Sequence, residues 1–413
     1  MNVGLPYYIS RNTNPNYAYG GGVLFTCISF PLILFITWLI ANGYLPGLKA
    51  EDSHIYFLYI IGIGAQYLSY SIFRGYMNMI GANILQLLCT AVIPIIAFYY
   101  FSTLSHTINQ IALCILLISL IGIFYRVESV KKPFELLRCV SSLFKYGFAR
   151  LPSFLAQFIL IAGLPIFLAK EITSANMALL NAGISIVRLA LIFVTPLGMI
   201  LLPRISHALA QGEKFKVGQG MEILLIITIY FSTIICGIIF LYTEELLILW
   251  LGKITTDGIL LVKLVILAFP FYSVMGVLRG PIDAGSEKGY NSIIYVIAAL
   301  GMLFSFLMFR IANVNIMIAG TISFAFGHSV SMIGCLYFSK KLFDVSINLV
   351  QIFTTVVLIV IMINALALVI GLIFDGPLLQ LVVFLISFSV MALLYMNYST
   401  SDWVMELKKR IYN

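Results

Sequence analysis

Charge is scarce in this chain, and negative charge is the scarcest. Asp, Glu, Lys and Arg make up 10% of its 413 residues, against about a quarter in soluble globular proteins. Sixteen are acidic and twenty-four basic. The long apolar stretches hold almost no Asp or Glu, Glu222 being the nearest to an arginine-bearing stretch. A soluble all-helical protein is excluded on composition alone. Catalytic signatures are missing too: there is no P-loop, no HExxH or DxxD-type metal cluster and no GxSxG. The acidic residues expected on the outer side (Glu51, Asp52, Glu171, Glu244, Glu245, Asp257, Asp375) are scattered over five turns. An enzyme is therefore not expected, nor is a cofactor. The formal charge of +8 comes without a basic run interleaved with aromatics, which excludes nucleic acid as a partner. Disulfides are not expected either, since Cys27, Cys89, Cys114, Cys236 and Cys335 fall in apolar runs and only Cys139 lies in a basic segment. The polar start, MNVGLPYYISRNTNPN, lacks the apolar core of a secretory signal.

What is present is hydrophobic: 62% of residues, with a mean hydropathy of +1.06. Runs long enough to cross a bilayer fall at 20–41, 54–73, 81–101, 108–125, 145–169, 177–203, 221–243, 258–279, 290–310, 315–338, 347–373 and 377–398. These predict an all-α, polytopic membrane protein of twelve spans. With both termini in the cytoplasm, seventeen Lys and Arg fall on the inner side and four on the outer, a clear positive-inside bias. The longest basic connection, 126–144, contains Phe134, Leu137, Val140, Leu143 and Phe144 at three- and four-residue spacing. That spacing predicts a short interfacial helix lying on anionic membrane lipids.

The stretch with most chemical content is 177–206, MALLNAGISIVRLALIFVTPLGMILLPRIS. It carries Arg188 near its middle and is expected to break up at Pro196, Gly198 and Pro203. A cation deep in a span costs several kcal/mol unless it snorkels, pairs or faces water. Two readings stay open: Arg188 binds an anionic substrate such as a diphosphate, or it ties to Asn181, Ser185 or neighbouring carbonyls. Arg150 faces either the inner mouth of a cavity or a headgroup. Lys263 either lines a cavity or snorkels outward. Pro165, Pro196 and Pro270 interrupt the backbone ladder inside spans and act as hinges or shape the bundle. Gln157, Asn176, Asn181, Gln66 and Tyr70 are polar residues at or within spans, suited to hydrogen-bonding sugars or to tying helices together. His328 relays a proton or packs.

Two weak internal echoes share one offset. SIFRGYMNMIGANI (71–84) and VLRGPIDAGSEKGYNSI (277–293) both leave a span on Arg-Gly and return near an Asn, about 205 residues apart. GLPYYISR (4–11) and LLPRIS (201–206) repeat a proline followed by Ile-Ser, roughly 200 residues apart. The offset equals six helices, a plan of two facing helical lobes. It divides the chain into 1–125, a four-helix part of a first lobe; 126–144, the basic inter-lobe loop; 145–338, a six-helix second lobe; 347–398, two further spans; and 399–413, a cytoplasmic tail.

TPLGMILLPRIS (195–206), SLFKYGFARLPSFL (142–155) and the Arg-Gly pairs at 74–75 and 279–280 resemble segments of the Wzx-like polysaccharide flippases. These form the polysaccharide transporter family of the multidrug/oligosaccharidyl-lipid/polysaccharide exporter superfamily. The resemblance implies fourteen spans in two pseudo-repeated lobes around a central cavity, of which this chain would hold twelve, lacking the first two. It implies translocation of undecaprenyl-diphosphate-linked oligosaccharide across the bacterial inner membrane for O-antigen, capsule or lipopolysaccharide assembly. A proton or sodium gradient would drive it, other polysaccharide-assembly proteins would be partners, and Arg188 and Arg150 would be second-lobe cavity charges. Two alternatives remain. A drug or cation antiporter of the same superfamily would favour buried carboxylates, and a membrane polysaccharide polymerase or ligase would need a large catalytic outer loop.

Overall fold

The computed structural model describes residues 4–11, 15–42, 53–101, 103–124, 133–169, 171–252, 254–345, 348–373, 376, 379–380, 382–384 and 386–387. Every regular element among them is helical: α1 (Gly4–Arg11), α2 (Pro15–Ala41), α3 (Ser53–Gly75), α4 (Met79–Leu87), a π-helical turn (Leu88–Val92), α5 (Ile93–Tyr100), α6 (Leu104–Ile123), α7 (Pro133–Phe148) and α8 (Leu151–Leu168). They continue with α9 (Ser174–Ala210), α10 (Lys214–Leu241), α11 (Thr243–Leu251), α12 (Thr256–Ile266), α13 (Phe269–Gly285), α14 (Tyr290–Ile311), α15 (Ile316–Phe343) and α16 (Leu349–Ile373). Nine segments among the described residues are long and apolar enough to span a membrane. Lipid offers no hydrogen-bond partners, so a spanning backbone must satisfy itself, and the helix is the local way to do so. The chain is an all-α, polytopic membrane protein. The expected last span, 377–398, lies mostly outside the described residues, and the tail 399–413 lies wholly outside them.

Helix ends follow local chemistry. The Asn78 side chain caps α4 by accepting from the Gly81 N–H at 2.9 Å, and Asn315 caps α15 by accepting from Met317 at 2.9 Å. α15 stops at Asp344, a left-handed residue with φ 57°. Close packing needs small residues: a Cβ on Gly62 of α3 would stand 2.9 Å from the Ala112 carbonyl of α6.

The chain forms two compact units. The first comprises Met1–Leu151, Met199–Gly212 and Asp283–Gly289; the second comprises Pro152–Gly198, Glu213–Ile282 and Tyr290–Asn413.

Two expectations are corrected. The 177–206 stretch does not break up, since α9 runs unbroken for 37 residues through Pro196, Gly198 and Pro203. What changes there is the compact unit, between Gly198 and Met199. Arg279 lies inside α13, which continues past it to Gly285 with Pro281 inside. The 258–279 run is not one helix, because it divides into α12 and α13 around Leu267 and Ala268. Pro270 explains that division. It has no N–H for the carbonyl of Ile266 four residues back, and the Cys236 thiol donates to that carbonyl instead, at 3.4 Å. Pro165, by contrast, sits inside α8 without ending it. A helix does form where the spacing predicts one, as α7, with Phe134, Leu137, Phe144 and Phe148 exposed and Leu143 and Tyr146 buried. The basic residues 126–132 that precede it lie outside the described residues.

Candidate functional site

In the second unit, α9 presents an unusual face. From Ser174 to Arg188 its exposed positions are Ser174, Ala175, Ala178, Asn181, Ser185 and Arg188. Leu179, Leu180, Ala182, Ile184, Ile186 and Val187 are buried on the other side. The exposed face of α14 shows the opposite pattern, with Ile293, Ile297, Leu300, Phe304 and Leu307. Small and polar residues at i, i+4, i+7 and i+11 of an otherwise apolar span suit contact with water or a polar ligand. The Ser185 hydroxyl is taken up by the Asn181 carbonyl at 2.7 Å. Arg188 makes no hydrogen bond with Asn181 or Ser185 among the described contacts.

Arg188 has company in the same unit. Arg188 and Arg279 both lie within electrostatic range of Tyr272, which is buried on α13. Arg279 donates from Nη1 to Gln157 Oε1 at 2.7 Å, and its guanidinium lies 5.4 Å from the Phe154 ring and 5.9 Å from that of Tyr295. Asn291 donates to the Arg279 carbonyl at 2.9 Å. Among the described residues, no carboxylate lies within ion-pair distance of Arg188 or Arg279. Against Tyr272 sits His328, fully buried with its ring edge-on to those of Tyr272 and Phe324.

Lys263 on α12 is half-buried, 5.4 Å from the Phe240 ring centroid. Asn176 accepts from the Thr255 hydroxyl at 3.0 Å and so ties the start of α9 to the cap of α12. The side chain of Pro196 is outside the described set; Pro203 is buried.

Arg150 has a different setting, in the first unit. It stands in the turn between α7 and α8 and is 3% exposed. Nε bonds Asp283 Oδ1 at 2.7 Å. Nη1 donates to the carbonyls of Tyr146 (3.0 Å) and Glu287 (3.2 Å), and Nη2 to those of Ser286 (2.9 Å) and Asp283 (3.4 Å). A guanidinium has five N–H donors, and all five are engaged. The plane rests on the Tyr146 ring at 3.3 Å, and the Tyr146 hydroxyl donates to the Asp283 carbonyl at 2.9 Å.

α1 closes the same cluster. Arg11 donates to the Ala284 carbonyl at 3.0 Å, and the Tyr8 hydroxyl to Glu287 at 3.4 Å. Burial, with Glu287 beside it, pushes the Tyr8 phenol well above its usual range. The residue after the second echoing segment also reaches the first, His207 Nδ1 lying 3.3 Å from the Ser10 carbonyl.

The structure thus brings Arg188 and Gln157 into one neighbourhood through Tyr272 and Arg279, and places Arg150 and Pro203 in the other unit. Sequence reading missed Asp283 and Glu287, which look like loop acids in GPIDAGSEKG, and Arg279, hidden by the Arg-Gly-Pro sequence that suggests an exit. Among the described residues, no group of three or more His, Cys, Asp or Glu is arranged to hold a metal.

No protein-family model matches the chain, and no curated protein does. Solved structures do. The MATE transporter VcmN of Vibrio cholerae in its bent form superposes with a TM-score of 0.68 at 18% identity, over 83% of this chain and 84% of that one. The eukaryotic MATE transporter AtDTX14 gives 0.63 at 13% identity, over 83% and 85%. The lipid II flippase MurJ, inward closed, gives 0.59 at 13% identity, over 96% and 88%. At these identities the likeness is one of fold. The likeness shows a fold shared with these transporters and does not reach a polysaccharide-flippase family.

Proposed function

We propose that this chain translocates an amphiphilic lipid with an anionic head, a polyprenyl-diphosphate-linked oligosaccharide, across the bacterial inner membrane. The glycan would serve O-antigen or capsule assembly, and both termini would lie in the cytoplasm. The observation that carries this reading is Arg188 at the end of an exposed polar face of α9, with Arg279 nearby and no carboxylate paired to either among the described residues. Unneutralised guanidiniums in a membrane-spanning unit favour an anion, and the planar fork matches two phosphate oxygens. The face would be exposed to the two sides of the membrane in turn, driven by a proton or sodium gradient. The fold shared with a lipid II flippase supports a lipid-linked cargo.

A second reading is antiport of an organic cation, favoured by the several MATE transporters among the similar folds. The charge of the site opposes it, because holding a cation in a span calls for carboxylate. The test is translocation of a lipid-linked oligosaccharide by the full chain in proteoliposomes, beside efflux of an organic cation. Transport of the lipid that is lost in Arg188→Ala at normal protein level is expected. Full lipid transport by Arg188→Ala, or cation efflux without lipid transport, overturns the proposal.

A further inference from the structure

The first unit contains a cavity of about 220 Å³ between α3, the π-helical turn with its neighbours, and α6. Its backbone is locally unusual. Pro94 follows the π-helical turn, and because it has no N–H the regular ladder ahead of it loses a donor. Ile93 N–H reaches back five residues to the Leu88 carbonyl. Such turns concentrate at ligand sites, because they reset which side chains face a pocket. Here Cys89 and Thr90 of the turn line the cavity.

The lining has a definite chemistry. Two phenol rings, Tyr59 and Tyr67, stand partly exposed at 36% and 47%. Two amides meet inside it, Gln66 Nε2 donating to Gln86 Oε1 at 3.3 Å. Gln66 is only 5% exposed, so an amide has been placed in an apolar span at a desolvation cost. The bond between the two amides uses one donor and one acceptor. It leaves the Gln66 carbonyl, a second N–H on Gln66 and the Gln86 NH2 able to serve a ligand. Thr90 donates its proton to the Gln86 carbonyl at 2.7 Å, which leaves its oxygen as an acceptor. The remaining walls are aliphatic, and no lining residue is charged.

We propose that this cavity binds one neutral sugar ring of the transported cargo. The proposal rests on the reading that the cargo carries sugars, and it names where in the first unit the glycan is recognised. Aromatic faces cover the C–H side of a sugar ring, while paired amides and a hydroxyl take its hydroxyl groups. The cavity falls below the ~300–1,000 Å³ of drug-sized sites, so it fits a single ring. An organic cation over Tyr59 and Tyr67 is disfavoured because no carboxylate lines the cavity to neutralise it.

The test titrates the full chain in nanodiscs with a neutral hexose, a neutral N-acetylhexosamine, tetraphenylphosphonium and sugar-free undecaprenyl diphosphate, read by saturation-transfer NMR and calorimetry. At least one neutral sugar is expected to bind, with affinity about tenfold weaker in Gln66→Leu and in Gln86→Leu. If Gln66→Leu lowers the melting temperature, Thr90→Val at an exposed position replaces it. Absence of sugar binding, sugar binding unchanged in the glutamine variants, or phosphonium binding that Tyr67→Ala removes would each overturn the proposal. Binding of the sugar-free lipid without any sugar would overturn this inference alone. Sugar binding without the lipid would leave the pocket standing and count against the proposed function.

Discussion

Arg150 and Arg188 are the same residue type, both at or within apolar runs, and they have opposite fates. Arg150 is 3% exposed with its five donors on five oxygens, among them Asp283. Arg188 is exposed at the end of a face of serine, alanine and asparagine, with no carboxylate paired to it among the described residues. The first is a structural tie that a ligand could claim only by breaking it. The second retains donors for a ligand. Saturation of its donors, more than its depth in the sequence, separates a cation that holds a fold from one that can hold a cargo.

The largest expected effect breaks the first half of that contrast. Asp283→Ala leaves a buried guanidinium without its counter-ion, which costs about 3–5 kcal/mol in comparable buried pairs. Thermal unfolding of the detergent-solubilised protein should show a large fall in melting temperature. A fall no greater than that of a surface substitution would mean that Arg150 is not held by this pair.

A smaller loss is expected when both charges are removed together. Arg150→Met with Asp283→Leu discards the desolvation cost along with the attraction, and such replacements are often close to neutral. Four backbone carbonyls and the Tyr146 ring would still lose their partner. The double variant should therefore fall between wild type and Asp283→Ala in the same melts. A double variant as unstable as the single one would assign the stability to the carbonyl contacts instead of the ion pair.

How much of this contrast was legible in the sequence depends on its range. Helix positions were readable because a membrane fixes both length and hydropathy: the run 290–310 is α14, Tyr290–Ile311, and 347–373 is α16, Leu349–Ile373. The amphipathic α7 was readable from spacing for the same reason. The polar face of Arg188 was partly readable, since Asn181, Ser185 and Arg188 share a helical side. The partner of Arg150 was not, because Asp283 is 133 residues away and the contact is purely tertiary. Proline was an uneven guide. Pro196 and Pro203 read as an end yet sit inside α9, because neighbouring groups in a bundle can take up the freed carbonyls. Pro270 read as a kink and does divide its run, its lost bond being met by Cys236.

The cluster around Arg150 should also respond to pH through α1. Tyr8 donates to Glu287, and burial together with that carboxylate raises its phenol above the usual value of 10.0. The folded state thus holds this proton more tightly than the unfolded chain does. The contribution is full below pH 10 and is lost as pH rises above it, because ionisation then favours unfolding. Melting temperatures measured from pH 8 to pH 11 should fall more steeply for wild type than for Tyr8→Phe. Parallel curves would remove Tyr8 from the cluster's energetics.

The smallest expected effect on stability belongs to the residue with the most to do. Arg188→Ala removes a side chain that is exposed and has no hydrogen bond or ion pair among the described residues, so its melting temperature should match wild type, within about 0.5 kcal/mol. Removing a like charge near Tyr272 and Arg279 would if anything relax that corner of the unit. A variant that folds as well as wild type and has lost lipid transport would set Arg188 apart from Arg150 by function as well as by geometry. A large loss of stability would instead place Arg188 in the same class as Arg150, as a tie whose partner is a residue beyond the described set, and the cationic face of α9 would lose its claim to the cargo.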